Sequence, residues 1–229
     1  MEIIQINETT WRMEEDGVRF FLLTGRKKAL LIDSGMQTRN ARQIAQTLTD
    51  LPVELLNTHA DPDHVGSNGE FTCFYMNPAE APNYYKRGEK REGSIVPVEN
   101  GDVLDLGERP LEIITLPGHT TGSIAVLDIR NRALISGDPI QDGNIYMFGP
   151  YREMHAYLLS LNKLDAYRSR FDEVWPSHGS FPVEPAQIDR LKVGALQVMQ
   201  GQAPREEMEL HGSRIVRCDV GCAGFYCER

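Results

Sequence analysis

The hydrophobic and polar positions divide the chain into short strand-like runs and a few helical ones. The N-terminal part contains IIQI, TWRME, VRFFLLTG and KALLIDSG, which are rich in β-branched and aromatic residues and separated by turn signals. These runs predict a strand meander. NARQIAQTL follows, with Ile44 and Leu48 four residues apart and Ala41 and Ala45 on a neighbouring face, which predicts an amphipathic helix. VELLNTHA then predicts a buried strand.

The same alternation continues to the end of the chain. Further strands are predicted in FTCFYM, VPVENGDVLDLGERPLEIITLPGH, SIAVLDIRNRALISGD and DEVW, with a closing hairpin in RIVRCDVGCAGFYC. PAEAPNYYKR (78–87) predicts a short helix or exposed loop, and residues 153–171 and 185–201 predict helices with one apolar face. By contrast, residues 139–151 are long, glycine-bearing and aromatic, which favours a functional loop.

The organisation of these elements predicts the fold class. No Pro/Ser-rich linker, low-complexity tract or short repeat interrupts the sequence, so residues 1–229 are expected to form one domain. Strand runs occur in both halves and each set is followed by a helix. This pattern suits two packed sheets flanked by helices better than a single doubly wound sheet.

Composition and charge narrow the classes of partner. The net charge of −9 argues against sequence-independent nucleic-acid binding, which needs a basic surface. The chain shows no N-terminal apolar leader and no apolar run long enough to span a bilayer, so we expect a cytoplasmic protein without a membrane partner. Nothing in the pattern specifies an oligomeric state. Four cysteines are present, Cys73, Cys218, Cys222 and Cys227, and the last three have no CxxC spacing. These three are expected to be free thiols on a C-terminal hairpin, with a redox or additional metal role as the alternative.

The stretch HADPDH carries the first candidate chemistry. It places His59, Asp61, Asp63 and His64 within six residues, just past the end of a predicted buried strand. Carboxylates crowded in this way repel one another unless a cation or water lies between them. The alternative is a solvated acidic turn that leads into a helix, with Asp61 as its N-cap and Pro62 at its first position.

Three later segments share the same loop context. His119 lies between two glycines in PGHTTGS, Asp138 follows the strand ALIS, and His178 follows DEVW. The edge at the carboxyl ends of strands is where α/β layers commonly bind ligands. A single loop histidine is usually only solvated, but four of the six histidines lie in loops after apolar strands. This recurrence favours a metal site over an acidic turn.

The order HADPDH…PGHTTGS…SGD…SHG resembles the metallo-β-lactamase superfamily of binuclear metal hydrolases, over nearly the whole chain from LLIDSG onward. The resemblance implies an α+β fold, the four-layer αββα sandwich, with two metals at the strand ends. It implies a first metal held by His59, Asp61 and His119, a second held by Asp63, His64 and His178, and Asp138 as the bridge. Asp33 lies where the family has a carboxylate that supports the ligand loops.

Asp61 departs from the usual family motif HxHxDH, because it replaces the middle histidine. As an oxygen ligand it would make a harder site that tolerates iron or manganese as well as the expected zinc. As a helix cap it would leave the first site weak or empty, and a third interpretation is a decayed motif on a non-catalytic binding protein. Flavodiiron proteins are similar in carrying a carboxylate, Glu, at this position. A di-iron protein that reduces or senses dioxygen or NO with an external electron donor is therefore the alternative function.

The resemblance implies a metal-dependent hydrolase of a small ester, thioester, lactone or amide, in which two metals activate a hydroxide. Asp63 is expected to orient that hydroxide and to pass a proton to the leaving group. No cluster of Lys or Arg accompanies the motifs, which weighs against phosphodiester and coenzyme-A substrates. The candidate walls of the substrate site are aromatic, with core packing as the alternative for each: Tyr146, Phe148 and Tyr151 in one segment, and Trp11 with Met13 in another.

Overall fold

The computed structural model describes residues 1–86 and 93–229. The strands, in chain order, are β1 (Glu2–Asn7), β2 (Thr10–Glu15), β3 (Val18–Thr24), β4 (Ala29–Ile32), β5 (Val53–Leu56), β6 (Cys73–Met76), β7 (Ser94–Pro97), β8 (Val103–Asp105), β9 (Pro110–Thr115), β10 (Ile124–Asp128), β11 (Ala133–Gly137), β12 (Asn144–Met147), β13 (Glu173–Pro176), β14 (Arg205–Leu210), β15 (Ser213–Asp219) and β16 (Gly224–Glu228). The α-helices are α1 (Ala41–Leu48), α2 (Ala81–Tyr84), α3 (Met154–Lys163) and α4 (Gln187–Met199).

Two sheets form the centre of the molecule. Strands β1 to β7 follow one another in the first sheet, antiparallel from β1 to β4 and parallel from β4 to β7. The second sheet has the order β13-β11-β10-β9-β8, in which β11 and β13 are parallel. Because β10 runs antiparallel to both of its neighbours, β9 points the same way as β11. The carboxyl ends of β9, β11 and β13 therefore share one edge.

The core confirms the predicted αββα layering. Strand β3 is buried along its whole length because alternate residues enter two different apolar clusters. Phe20 and Leu22 pack with α1, whereas Phe21 and Leu23 face the second sheet and contact the cluster that contains Trp175. A third cluster fills the space between the second sheet and helices α3 and α4.

A third sheet was not predicted as such. Its order is β12-β16-β15-β14, and it extends the cluster beneath α3 and α4 through residues such as Ile145 and Phe225. The prediction of a loop over residues 139–151 is wrong for β12, which pairs in parallel with β16. Strand β14 was missed because REEMEL is charged and mostly exposed, so its identity as a strand depends on pairing with β15.

The helices agree with the predictions in part. Helices α1 and α4 lie where the apolar spacing placed them, whereas the helix predicted over 153–171 ends at Lys163 and continues as a 3₁₀ helix, Leu164–Arg170. The segment predicted over 78–87 forms a 3₁₀ turn followed by α2, and its last residue lies outside the described residues. Within the described ranges, no helix is long and apolar enough to cross a membrane.

A buried ion pair joins the two sheets. The guanidinium of Arg109 donates to Asp128 at 2.6 and 3.1 Å, and both side chains are fully buried. The same guanidinium donates to the backbone oxygens of Thr9 and Thr24 and to the hydroxyl of Thr10 in the first sheet. Every charge is thus compensated, which is the condition for a buried ion to be tolerated.

The Asp128→Ala substitution tests this ion pair. Removing the carboxylate leaves the Arg109 guanidinium buried without a counter-charge, so the free energy of unfolding should fall by about 3–5 kcal/mol in urea denaturation. The exposed pair of Arg132 and Asp172, 2.7 Å apart, supplies the control. The Asp172→Ala substitution should leave the denaturation midpoint nearly unchanged, and equal effects of the two substitutions would contradict the assignment.

Candidate metal centre

The HADPDH loop follows β5 and forms turns rather than a helix. Residues 61–67 are turns and bends, and the amide of His64 donates to the carbonyl of Asp61 at 3.0 Å. No helix begins at Pro62, so the interpretation of Asp61 as a helix cap is wrong. The Asp61 carboxylate points instead towards two imidazoles.

The first group of candidate ligands consists of His59, Asp61 and His119. Oδ2 of Asp61 lies 3.6 Å from Nε2 of His59 and 3.5 Å from Nε2 of His119. The two Nε2 atoms are only 3.2 Å apart. His119 comes from the loop between β9 and β10, so this group joins the two sheets.

The second group consists of Asp63, His64 and His178. Oδ2 of Asp63 lies 3.5 Å from Nε2 of His64 and 3.2 Å from Nε2 of His178. Asp138, which follows β11, connects the two groups. Its Oδ1 lies 3.2 Å from His64 Nε2 and 3.3 Å from His178 Nε2, and its Oδ2 lies 3.5 Å from His119 Nε2. All seven predicted ligands therefore meet at one edge of the sandwich.

The outward-facing nitrogens of the four imidazoles all contact oxygens. Nδ1 of His64 lies 2.8 Å from Asp33 Oδ2, and Nδ1 of His119 and His178 lie 2.9 and 2.8 Å from the backbone oxygens of Tyr146 and Gly17. A carboxylate or a carbonyl only accepts, so each of these Nδ1 atoms carries the proton.

His59 reaches the same tautomer through a hydroxyl. Its Nδ1 lies 3.0 Å from Thr58 Oγ1, and that hydroxyl donates its single proton to Asp33 at 2.7 Å. Oγ1 can then only accept from His59. In neutral imidazoles of this tautomer all four Nε2 lone pairs face the centre, as they do in histidines that bind metals.

The arrangement fits divalent metal ions. His64 Nε2 and Asp138 Oδ1 are buried and have no hydrogen-bond partner, so two polar atoms at the centre of the cluster are left for a cation. The short distance between the Nε2 atoms of His59 and His119 also requires a proton or a cation between their lone pairs. Imidazole nitrogens and carboxylate oxygens are donors that zinc, iron and manganese accept.

The pKa values of the clustered side chains reflect the charges that surround them. Burial raises the pKa of Asp63, but the charge of His64 and a hydrogen bond from His178 outweigh it and hold that pKa far below the ordinary value. The pKa values of Asp61 and Asp138 are likewise depressed, by neighbouring imidazoles against the effect of burial. Burial lowers the pKa of His178, but the charge of Asp138 and close polar contacts with Asp138 and Asp63 raise it to about 10. The ionised carboxylates thus create a field that favours a positive charge at the centre of the cluster.

Asp33 supports the ligand loop from the end of β4. Its Oδ1 accepts from the amide of Thr58 at 2.7 Å, and its Oδ2 accepts from the Thr58 hydroxyl and contacts His64. Asp33 has a φ of +64°, a conformation that is uncommon outside glycine. The backbone therefore adopts a rare local geometry that aims this carboxylate at two neighbours of the centre.

Glu80 connects two ligand loops and was not predicted from the sequence as a site residue. This fully buried carboxylate accepts from the amide of Ala60 at 2.8 Å and from the amide of Gly122 at 2.7 Å. One side chain thereby fixes the loop of His59 to the loop of His119. Glu80 is one of 33 acidic residues and lies in a segment predicted as a short helix or loop, so no local signal distinguished it.

Arg152 and Asn83 were missed as well, and both contact Asp61. The Arg152 guanidinium pairs closely with Asp61 Oδ2, and the Asn83 amide donates to Asp61 Oδ1 at 3.1 Å. The two residues lie 91 and 22 positions from Asp61 along the chain. The sequence shows no Lys or Arg beside the motifs, but the fold brings one guanidinium to the centre.

The predicted aromatic residues fall into two places. The ring of Tyr146 stacks with Phe148 at 5.6 Å, and burial and the neighbouring charges of Tyr226, Asp63, Asp138 and Asp61 raise its pKa. Tyr151 is half-buried directly before Arg152. These three residues therefore belong to the segment that borders the centre.

Trp11 and Met13 pack elsewhere. Trp11 contacts the apolar cluster beneath α1, and Met13 is fully buried in that cluster. Met13 is therefore a core residue, and its prediction as a substrate wall is wrong. His155 is exposed at the start of α3 and matches none of the ligand motifs. His211, also exposed, stacks on Tyr146 with ring centroids 6.4 Å apart.

The chain is similar to known hydrolases. It is 27% identical to the acyl-coenzyme A thioesterase MBLAC2 of Gallus gallus over 207 residues, which cover 73% of this chain and 75% of that protein. It is 32% identical to a hydroxyacylglutathione hydrolase of Gloeobacter violaceus over 143 residues, which cover 60% of this chain and 55% of that protein.

The fold and the family agree with these similarities. A metallo-beta-lactamase from Pontibacter korlensis matches with a TM-score of 0.72 and 17% identity, covering 85% of this chain and 98% of that chain, a likeness that shows the fold alone. The family model of the metallo-beta-lactamase superfamily matches residues 14–178, a range that contains all seven side chains of the candidate metal centre. The chain therefore belongs to the metallo-beta-lactamase superfamily.

Proposed function

We propose that this metallo-hydrolase cleaves thioesters at a centre that binds two divalent metal ions. The observation that carries the proposal is the convergence of four imidazole Nε2 atoms and three carboxylates at one edge of the sandwich. The relatives support the substrate class, because an acyl-coenzyme A and a hydroxyacylglutathione are both thioesters. The two similar proteins share this bond type and differ in the carrier to which the acyl group is attached.

The two groups of ligands divide between the two ions. His59, Asp61 and His119 would hold one ion, and Asp63, His64 and His178 would hold the other, with Asp138 between them. Ions at these positions would supply Lewis acidity towards a carbonyl and would lower the pKa of bound water. Zinc is the expected metal, and the oxygen of Asp61 makes iron or manganese acceptable.

Asp63 is the carboxylate best placed to handle protons. Its side chain is 27% exposed, against 12% for Asp61 and 7% for Asp138, so it is the most accessible of the three to substrate. Its depressed pKa keeps it ionised at neutral pH, so it can orient a water molecule by accepting a hydrogen bond and can relay a proton to the leaving group, while being protonated only transiently. A thiol has a pKa near 8.5, so a thiolate leaves with little need for protonation, which favours thioesters over amides at a site whose carboxylate is rarely protonated.

The accessible side of the centre would contact the acyl group. His178 and Asp63 are the partly exposed ligands, and the stacked rings of Tyr146 and Phe148 border the centre beside them. Tyr151 and Trp11 remain further candidates for contact, and Trp11 also packs against the apolar cluster beneath α1. An aromatic border of this kind suits an apolar acyl chain.

Metal analysis of protein purified without added metal tests the proposal directly. We expect about two zinc or manganese ions per chain, together with turnover of acyl-glutathione or acyl-coenzyme A thioesters that is lost on chelation and restored by metal. Two irons with a visible absorption band would instead support the di-iron alternative. Less than about half an ion per chain would support a non-catalytic binding protein.

The Asp63→Asn substitution tests the proton-handling role. The amide cannot accept a proton, so kcat/KM for a thioester should fall by roughly 10²- to 10⁴-fold. At least one metal ion should remain bound, because six of the seven ligands are unchanged. Full activity in a variant with normal metal content would contradict the role.

The Tyr146→Ala substitution tests the aromatic border. Loss of the ring should raise KM for a long-chain acyl thioester roughly tenfold, which corresponds to about 1.4 kcal/mol, with a smaller effect on a short acyl group. Tyr146→Phe is the matched control, because it keeps the ring and the backbone oxygen that contacts His119. KM values in the Tyr146→Ala variant that equal those of the wild type for both chain lengths would show that the ring does not contact substrate.

A further inference from the structure

The ion pair between Arg152 and Asp61 lies inside the candidate metal centre. The guanidinium contacts Asp61 Oδ2, which is the same oxygen that faces His59 and His119. The Arg152 side chain is 11% exposed, and its Nε is buried without a hydrogen-bond partner. The cation is therefore directed into the site, although a solvated position would cost less free energy.

The backbone holds Arg152 in this position from both sides. Tyr151, the preceding residue, has a φ of +74°, which is strained for a residue with a side chain. The following residue, Glu153, donates its amide to the carbonyl of Gly118 at 2.8 Å and caps α3 with its side chain. Gly118 precedes His119, so the segment that carries Arg152 is attached to a ligand loop.

The charge count explains why an arginine lies here. Asp61 replaces the neutral histidine of the family motif HxHxDH and adds one negative charge to the first group of ligands. Arg152 adds one positive charge beside the same oxygen and cancels that negative charge. The group of His59, Asp61, His119 and Arg152 thus carries the same formal charge as three neutral histidines.

We propose that Arg152 is a positioning residue that balances the charge of Asp61, so that the first metal experiences a nearly neutral ligand set. This inference rests on the proposed binuclear centre. A cationic donor withdraws electron density from the Asp61 oxygen and repels a dication, so it weakens metal binding and leaves the bound metal a stronger Lewis acid. Arg152 thereby lowers the metal affinity of the first site and raises the Lewis acidity of the metal bound there.

The opposite role predicts the opposite result. A residue that only orients Asp61 would strengthen metal binding, and its loss would lower the affinity. Charge balance predicts that Arg152→Met binds the more weakly held Zn²⁺ ion roughly 10- to 100-fold more tightly, in the range of effects for groups that contact a metal ligand. The kcat for a thioester should fall in the same variant. Arg152→Lys, which keeps the charge, should remain close to the wild type in both.

A double substitution sharpens the test. Asp61→His leaves the Arg152 guanidinium unpaired beside the first site, so this variant should lose the more weakly held Zn²⁺ ion. Asp61→His combined with Arg152→Met has three neutral histidines and no guanidinium, so it should regain that ion. The two substitutions are therefore expected to be strongly non-additive, as residues in direct contact are.

The experiment is a competition titration with Zn²⁺ and a chelator of known affinity, together with the number of ions per chain and the melting temperature of each variant. Arg168→Met is the matched control, because Arg168 pairs with Asp189 away from the centre and should leave the titration unchanged. A wild-type chain that binds fewer than two ions would refute the proposed function. A wild type with two ions and an Arg152→Met variant of equal or weaker Zn²⁺ affinity would overturn this inference alone.

Discussion

The buried carboxylate of Asp33 is the contact on which the centre depends. It accepts from the amide and the hydroxyl of Thr58 and contacts Nδ1 of His64, so it determines the tautomer of His64 directly and that of His59 through the Thr58 hydroxyl. Two adjacent ligands thus receive their orientation from one side chain at the end of β4. Without Asp33, no carboxylate would hold the two imidazole rings in the orientation that directs Nε2 to the centre.

The two sides of the cluster differ in character. The inner side is closed, because His59, His64 and His119 are fully buried and Glu80 connects the loops of His59 and His119. The outer side contains Asp63 and His178, each about one-quarter exposed, and the aromatic rings of the segment around Tyr146. This difference gives the centre one direction of approach, so a substrate would meet Asp63 before it meets Asp61.

The sequence could predict the strands and the ligand loops because their signals are local. An apolar run followed by a histidine or aspartate is visible within ten residues, and the edge shared by strand ends then brings such loops together. The signals for β12, Glu80 and Arg152 are not local. Strand β12 is defined by its pairing with β16. The role of Arg152 depends on its contact with Asp61, which is 91 positions away in the sequence. Residues of this kind are defined by partners that a single sequence does not identify.

The ligands come from both sheets, and this affects the order in which the protein is made. Asp61 and Asp63 leave the ribosome in the first third of the chain, but their partners His119 and His178 follow much later. Beside them, the amide of Ile124 donates a hydrogen bond to the carbonyl of Thr58 at 2.9 Å and joins the two sheets. A nascent chain that ends before His119 therefore contains only part of the proposed ligand set. Metal binding at the proposed centre would therefore require both sheets, and until the second sheet is made the acidic loop would remain open to other cations.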